Sequence, residues 1–291
     1  MTRPTSSIPP YIWAGIGGTT AIFGCCYYAF LDEAPVTKRR RWIATSPEWE
    51  RQLGDREYQQ LLRQYRGKIL TSDHPASKTV HRVGRRIADA SVNLAQKYNL
   101  PSAPPYTYTI VRSDQANAFV LPGNHVFVLT GLFQYVRDED DLAAVLGHEV
   151  AHTLCRHAGE KVSGSLAVNL LARLSLLIDP SGLILTFLLP AATVFRELPN
   201  SRVQETEADQ IGLQLAAQAC YDPRAAKRVF ARMSGEGAPP EFLSTHPSHH
   251  TRLTKLDEWM PEARRLMEDG DRCRRIRESM KVARQEAARR L

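Results

Sequence analysis

Apolar positions in this chain recur at two spacings, and the switches between them divide it. From residue 46 to 97 the spacing is helical. Ser46-Pro47-Glu48 places a capping hydroxyl before a proline at the first helical position, and Leu53, Leu61, Leu62, Tyr65 and Ile69 predict a helix reaching about residue 69. His74-Pro75 opens a second helix whose apolar face is Val80, Val83, Ile87 and Val92. The period then shortens to that of strands. Residues 106–111 (YTYTIV), 117–121 (NAFVL) and 125–129 (HVFVL) predict three short strands, with Leu121-Pro122-Gly123-Asn124 turning between the last two, as a small antiparallel sheet. Helical spacing returns over 141–157, DLAAVLGHEVAHTLCRH, where Leu142, Val145, Leu146 and Val150 form the stripe and no proline intervenes. The acidic run Asp138, Glu139, Asp140, Asp141 stands where a helix N-terminus favours negative charge.

Two stretches are apolar beyond what a buried helix face needs. Residues 12–31 form an uncharged run of 20, which at about 1.5 Å per residue covers a hydrocarbon core of about 30 Å. Trp13 at one end and Tyr27 and Tyr28 near the other suit the two membrane interfaces, and Gly15, Gly17, Gly18 and Gly24 would be costly in a soluble helix. We read a single membrane anchor rather than a cleaved signal sequence, because the run outlasts an ordinary signal core and ends at no small-x-small site. Residues 166–195 hold two shorter apolar runs separated by Asp179-Pro180-Ser181-Gly182, with Arg173 in the first and Pro190 placed to kink or end the second. They predict a helical hairpin that dips into the membrane interface or packs on the core, a second true span being the alternative.

The expected organisation is a tail (1–11), the anchor (12–31), a basic linker (32–45), one catalytic domain (46–260) and a basic helical tail (261–291). The fold class is mainly α with a small antiparallel sheet, plus the N-terminal transmembrane helix. Net charge is +7, and residues 261–291 carry ten Arg or Lys against six Asp or Glu, so more than half of the excess lies there. With no aromatic residue among those arginines to stack on bases, nucleic acid is not expected as a partner. Lys38 to Arg41 after the anchor would hold the C-terminal side on the more negative face of the membrane. Cys25 and Cys26 adjoin in the anchor, while Cys155, Cys220 and Cys273 stand isolated, so no CxxC metal site or disulfide framework is indicated and the redox compartment stays open.

Chemistry concentrates on the fourth helix of this reading. His148 and His152 are four residues apart, so both imidazoles leave one face a turn apart, as two ligands of one metal ion require. Glu149 between them is placed to take a proton from water rather than to ligate. A zinc site needs a third protein ligand from elsewhere. In residues 201–215, SRVQETEADQIGLQL, Glu205 fits that role, with Asp209 one turn on to accept a hydrogen bond from a ligating imidazole and Glu207 pointing elsewhere. Downstream, residues 244–250 (STHPSHH) and Arg252 form a loop and then a helix start at Ser248. His246 is a fourth ligand of a resting state or a donor to the oxyanion of the attacked peptide, and His249 and His250 are exposed helix residues.

HEVAH, then ETEAD, then STHPSHHTR, preceded by NAFVLPGNHVFVLTGL, resembles the membrane-linked gluzincin metallopeptidases, the group of the HtpX heat-shock protease and the CAAX-prenyl endopeptidase, and within it the mitochondrial inner-membrane members. The resemblance runs from about residue 46 to 259 and implies an α+β zincin-like domain with one Zn2+ per chain on His148, His152 and Glu205, and Glu149 as general base. It further implies that Asp209 supports His148, that His246 and Arg252 assist at the substrate side, and that Asn117, Ala118 and Phe119 border the cleft. By the same resemblance the partners are protein or peptide substrates and the lipid bilayer through residues 12–31, with a homo-oligomer left open. The expected location is the mitochondrial inner membrane, domain facing the intermembrane space, in quality control and stress-responsive processing. Two features depart from it: no Arg- and Ser-rich presequence is visible, and the Lys38 to Arg41 charges favour the opposite orientation. The competing functions are a non-proteolytic membrane scaffold or chaperone-like adaptor with a structural zinc site, and a bacterial envelope quality-control protease.

Overall fold

The computed structural model describes residues 17–18, 21, 24–25, 27–235, 241–246, 250–268 and 273–276, with backbone alone for 184–185, 187–201 and 250–251. Half of the anchor expected over residues 12–31 and most of the basic tail lie outside the described residues. The rest is mainly helical with two small sheets.

The segment expected as a basic linker is instead folded. Strands β1 (Leu31–Glu33) and β2 (Arg40–Trp42) pair antiparallel, with Asp32 opposite Arg41 and Glu33 opposite Arg40. Arg41 is buried, bonding Asp32 and the Cys155 carbonyl. Arg39 is held by Glu160 and Glu207. Two of the charges counted as a topology signal therefore belong to the fold.

Helix α1 (Pro47–Gln64) begins as expected, with the Ser46 hydroxyl accepting from the Trp49 N–H. It ends before residue 69: Ile69 lies beyond Gly67, at φ +82°, and bridges to Val111. Helix α2 (Pro75–Lys97) buries Val80, Val83 and Ile87 as predicted, but continues that face through Ala90 and Leu94 and leaves Val92 exposed, because 87, 90 and 94 follow the helical step and 92 does not.

Strands β3 (Thr107–Val111), β4 (Ala118–Leu121) and β5 (His125–Leu129) form a sheet in the order β3-β5-β4. It is mixed, which corrects the expected antiparallel sheet: β4 and β5 are an antiparallel hairpin, but β3 runs parallel to β5. The chain crosses from β3 to the far edge before the hairpin returns β5 into the gap, a step that alternation along each strand does not reveal. The hairpin turn takes Gly123 and Asn124 at positive φ, the region that Gly and Asn tolerate best. Phe127 and Leu129 pack with Tyr58 and Leu61 of α1, while Val126 and Val128 join the main core.

Helix α3 (Glu139–Leu154) is the centre of that core. Asp138 caps it, accepting from the Asp141 N–H at 2.8 Å, and Arg137 N–H and Arg232 both bond the buried Asp141 carboxylate. Asp141 through Ala151 are all buried, so the helix is enclosed all round and its polar residues must find partners inside the protein. It stops short of residue 157, because Arg156 turns into the left-handed region at φ 52°.

Helices α4 (His157–Ile178) and α5 (Leu183–Gln218) form the expected hairpin, with the α5 backbone helical through Pro190 rather than ended there. Its tip is not packed on the core: Leu177 and Ile178 are each 79% exposed, and Leu170, Leu171 and Leu183 are exposed beside them. Among the described residues, α4 is long and apolar enough to cross a membrane by length and composition. The distal part of α5 crosses α3 so closely that a Cβ on Gly147 would lie 2.8 Å from the Gly212 carbonyl oxygen, and one on Gly212 2.8 Å from the His148 nitrogen. These two glycines let the backbones touch and bring the ETEAD segment against the HEVAH segment.

Helices α6 (Arg224–Met233), α7 (Glu241–Thr245) and α8 (His250–Glu268) complete the domain. Helix α8 passes through Pro261, so the boundary expected there is not a structural one. Cys220 and Cys273, read as isolated, are disulfide-bonded with Cα atoms 5.0 Å apart. Their separation of 53 residues left no local spacing to see.

Candidate metal centre

The crossing of α3 and α5 gathers side chains from three parts of the chain. His148 and His152 come from α3, Glu205 from α5, and His246 from the end of α7, where its N–H bonds the Phe242 carbonyl at 2.8 Å. One donor atom from each of these four lies within 4.8 Å of the others. His148 Nε2 is 3.2 Å from His152 Nε2, 3.2 Å from His246 Nδ1 and 3.2 Å from Glu205 Oε2. Glu205 Oε1 is 3.1 Å from His246 Nδ1 and 3.5 Å from His152 Nε2.

These separations fit a metal ion. Ligands about 2.0–2.1 Å from a tetrahedral zinc lie roughly 3.3 Å from each other. The far nitrogen of His148 is 3.1 Å from Asp209 Oδ1, to which it donates when Nε2 is left bare. Bare imidazole nitrogens and a carboxylate facing one another at such range repel unless a cation lies between them. Glu149 Oε1 is a further sign: it is buried and makes no hydrogen bond among the described residues, although His246 Nε2 lies 3.4 Å away. Among the described residues, the donors His148, His152, Glu205 and His246 are those a metal would use.

The electrostatics agree. Burial opposes ionisation of Glu205, but hydrogen bonds with His148 and His246 hold it well below the ordinary carboxylate range. Burial also opposes a charge on Asp209, which is kept ionised by Arg252 and His148. Against its own burial, His148 is held up at about 9 by Asp209 and Glu205, so without a cation the carboxylates draw a proton onto it. Burial pushes Glu149 up from its ordinary value, the direction that suits a group exchanging protons near neutrality.

Of the other sequence-derived candidates, Arg252 is not on an open side. It is buried, its Nε and Nη2 grip both Asp209 oxygens at 2.6 and 2.7 Å, and Nη1 lies 3.3 Å from Glu205 Oε2, so it stands behind the donors. Strand β4 passes α3 with the Val120 backbone hydrogen-bonding Glu149. Asn117 just before it and Ala118 at its start are buried, while Phe119 turns to the face opposite Ala118 and stacks on Phe127, as strand alternation requires. Ala116 accepts from the Phe242 N–H, which ties α7 and His246 to the entry of this strand.

Sequence reasoning missed a second layer. Glu207 faces away from the donors as expected, yet it is buried and bonded to His157, Arg39 and Thr37. Its spacing within ETEAD hinted at a second carboxylate surface of α5. Nothing in the spacing pointed to Arg39.

An enclosed helix bearing two histidines and a carboxylate, crossed by a second helix supplying another carboxylate, defines a metallopeptidase site. The chain belongs to peptidase family M48, whose model matches residues 76–260, and is accordingly a metalloendopeptidase. It is 38% identical over 260 residues to the mitochondrial metalloendopeptidase OMA1 of Schizosaccharomyces pombe, covering 88% of this chain and 74% of that one. To the OMA1 of Saccharomyces cerevisiae it is 34% identical, over 86% of this chain and 76% of that one. It is also 27% identical to the beta-barrel assembly-enhancing protease of Escherichia coli, over 70% of this chain and 42% of that one.

Proposed function

We propose that this protein is a zinc-dependent endopeptidase of the mitochondrial inner membrane that cleaves membrane or misfolded proteins in quality control. The observation carrying the reading is the four-donor cluster with an unpartnered Glu149 oxygen aimed at it. His148, His152 and Glu205 are the residues we assign to the metal. A zinc ion held there supplies a Lewis acid that polarises a peptide carbonyl and lowers the pKa of a water towards about 7. Glu149 accepts the proton from the attacking water and passes it to the leaving amine. Asp209 fixes the orientation and tautomer of His148, and Arg252 keeps Asp209 ionised. An extended substrate segment pairs along the outer edge of β4, which passes Glu149.

His246 has two readings. As a fourth donor it fills the position that substrate and water need, which describes a resting state; held there permanently it would make a structural site and an inert scaffold. The similarity to endopeptidases over most of the chain favours the first. The apolar hairpin tip around Leu177 and Ile178 is the surface by which the domain enters the bilayer, beside the anchor of residues 12–31. The Cys220–Cys273 bond suits the oxidising side of that membrane rather than a reducing one.

Purified wild type and Glu149→Gln should both hold one zinc. Cleavage of an unfolded protein should fall by about 10²–10⁴-fold in the variant, as expected for loss of a general base. Undiminished cleavage by Glu149→Gln would remove the mechanism. An inert wild type that stays inert as His246→Ala would support the scaffold.

A further inference from the structure

Among the described residues, His152 has no carboxylate directly behind it. Its Nδ1 instead lies 2.8 Å from His157 Nδ1, and His157 Nε2 lies 3.2 Å from Glu207 Oε2. With both rings neutral and His152 Nε2 turned to the donor cluster, one proton arrangement satisfies every contact: His152 Nδ1–H donates to His157, and His157 Nε2–H donates to Glu207. Glu207 is in turn fixed from the far side. Arg39 Nη2 donates to its Oε2 at 2.8 Å, Thr37 Oγ1 bonds its Oε1, and the same guanidinium is bidentate on Glu160 at 2.7 and 2.8 Å.

The turn that delivers Thr37 and Arg39 joins β1 to β2 and lies outside the 76–260 match to the family model. Its backbone is held against its own preference, with Val36 at φ 66° and Lys38 at φ 57°. A β-branched residue persists in the left-handed region only where its surroundings over-determine it. Ala34 and Pro35 are buried at its base and Lys38 lies over the Tyr98 ring. Burial resists a charge on Glu207, yet bonds from His157, Arg39 and Thr37 bring its pKa down to about 2.

Resting on the assignment of zinc to His148, His152 and Glu205, we infer that His157 and Glu207 are positioning residues that orient His152, and that the Thr37–Arg39 turn, contributed by the segment following the membrane anchor, completes this support. The metal site is thus built partly by residues before the catalytic core. A chain whose β1–β2 hairpin is displaced would keep its donors and lose their alignment.

The test uses full-length protein in detergent, with zinc affinity read by chelator competition and the apoprotein's thermal unfolding read separately. Arg39→Ala touches no donor. It should weaken zinc binding about 10-fold or more, within the range for loss of a partner behind a metal ligand. Arg39→Lys should recover part of this, and kcat should fall more than KM rises. In a His157→Phe background, Arg39→Ala should add nothing further to the zinc constant. A lowered melting temperature with an unchanged zinc constant would overturn the inference, as would full additivity with His157→Phe. If Arg39→Ala does not accumulate as folded protein, Thr37→Val and Glu207→Gln face the same two readouts with the same overturning result. A wild type that binds no zinc would overturn the site assignment as well, whereas a zinc-loaded wild type with an indifferent Arg39 overturns this inference alone.

Discussion

His148 and His152 leave one helix a turn apart, yet the protein holds them by different means. Behind His148, among the described residues, stands the Asp209 carboxylate, gripped by Arg252 from α8, and all three are buried. Behind His152 stands a second imidazole, then Glu207, then an arginine from the N-terminal hairpin whose side chain is 22% exposed. The first support is short and dry. The second is longer by one ring, reaches the surface, and depends on a strand pair remote in sequence. Both carboxylates sit on α5 two residues apart, so one helix serves both histidines from two of its faces. The lesson is that equal spacing of two side chains on a helix does not imply equal support behind them.

Gly212→Ala should damage both supports together. Its new methyl would meet the backbone of Gly147 and His148, so we expect a loss of about 2–3 kcal/mol in chemical denaturation and the largest fall in zinc affinity. Next comes Asp209→Ala. It leaves the buried Arg252 without its carboxylate, which costs about 3–5 kcal/mol for a broken buried pair, and should weaken zinc about 100-fold. That stability loss would exceed the first, with a smaller loss of metal. On the longer support, Glu207→Gln should weaken zinc by nearer 10-fold; an effect equal to that of Asp209→Asn would erase the asymmetry.

Acid sharpens the same contrast. The folded pKa of Glu207, about 2, lies below its ordinary 4.5, so the stability it contributes is present above pH 4.5 and is lost as pH falls towards 2. Acid titration of the apoprotein by circular dichroism should therefore show less loss across that window in Glu207→Gln than in wild type. The smallest effect on zinc is expected from reducing Cys220–Cys273. The ring it closes spans 53 residues and contains His246 and Arg252 but none of His148, His152 and Glu205. Reduction should cost about 2–4 kcal/mol in denaturant, with the metal constant nearly unchanged.

The residues that convey chemistry through spacing were readable in the chain. His148 and His152 at a helical step, Glu205 and Asp209 at another, and the strand alternation before them each carry a local period. What stayed hidden depends on long-range geometry. The parallel pairing of β3 with β5, the disulfide and the reach of Arg39 to Glu207 each join residues whose neighbours in sequence say nothing about the meeting. Arg252 shows the same limit: its type suited an oxyanion partner, and only packing places it behind Asp209. The Lys38 to Arg41 run was counted as charge, when half of it is internal structure.

Where Gly147 meets Gly212, two main chains rest on one another with no side chain to give way. Helices α3 and α5 are therefore seated backbone to backbone, and between them they carry both histidines, Glu149, Glu205 and Asp209. The five-residue helix that ends beside His246 is seated differently, by the buried Phe242 side chain and by the Phe242 N–H bond to the Ala116 carbonyl. On the resting-state reading, the donor that would yield its place to substrate is therefore the one carried by the shortest of the helices that supply donors.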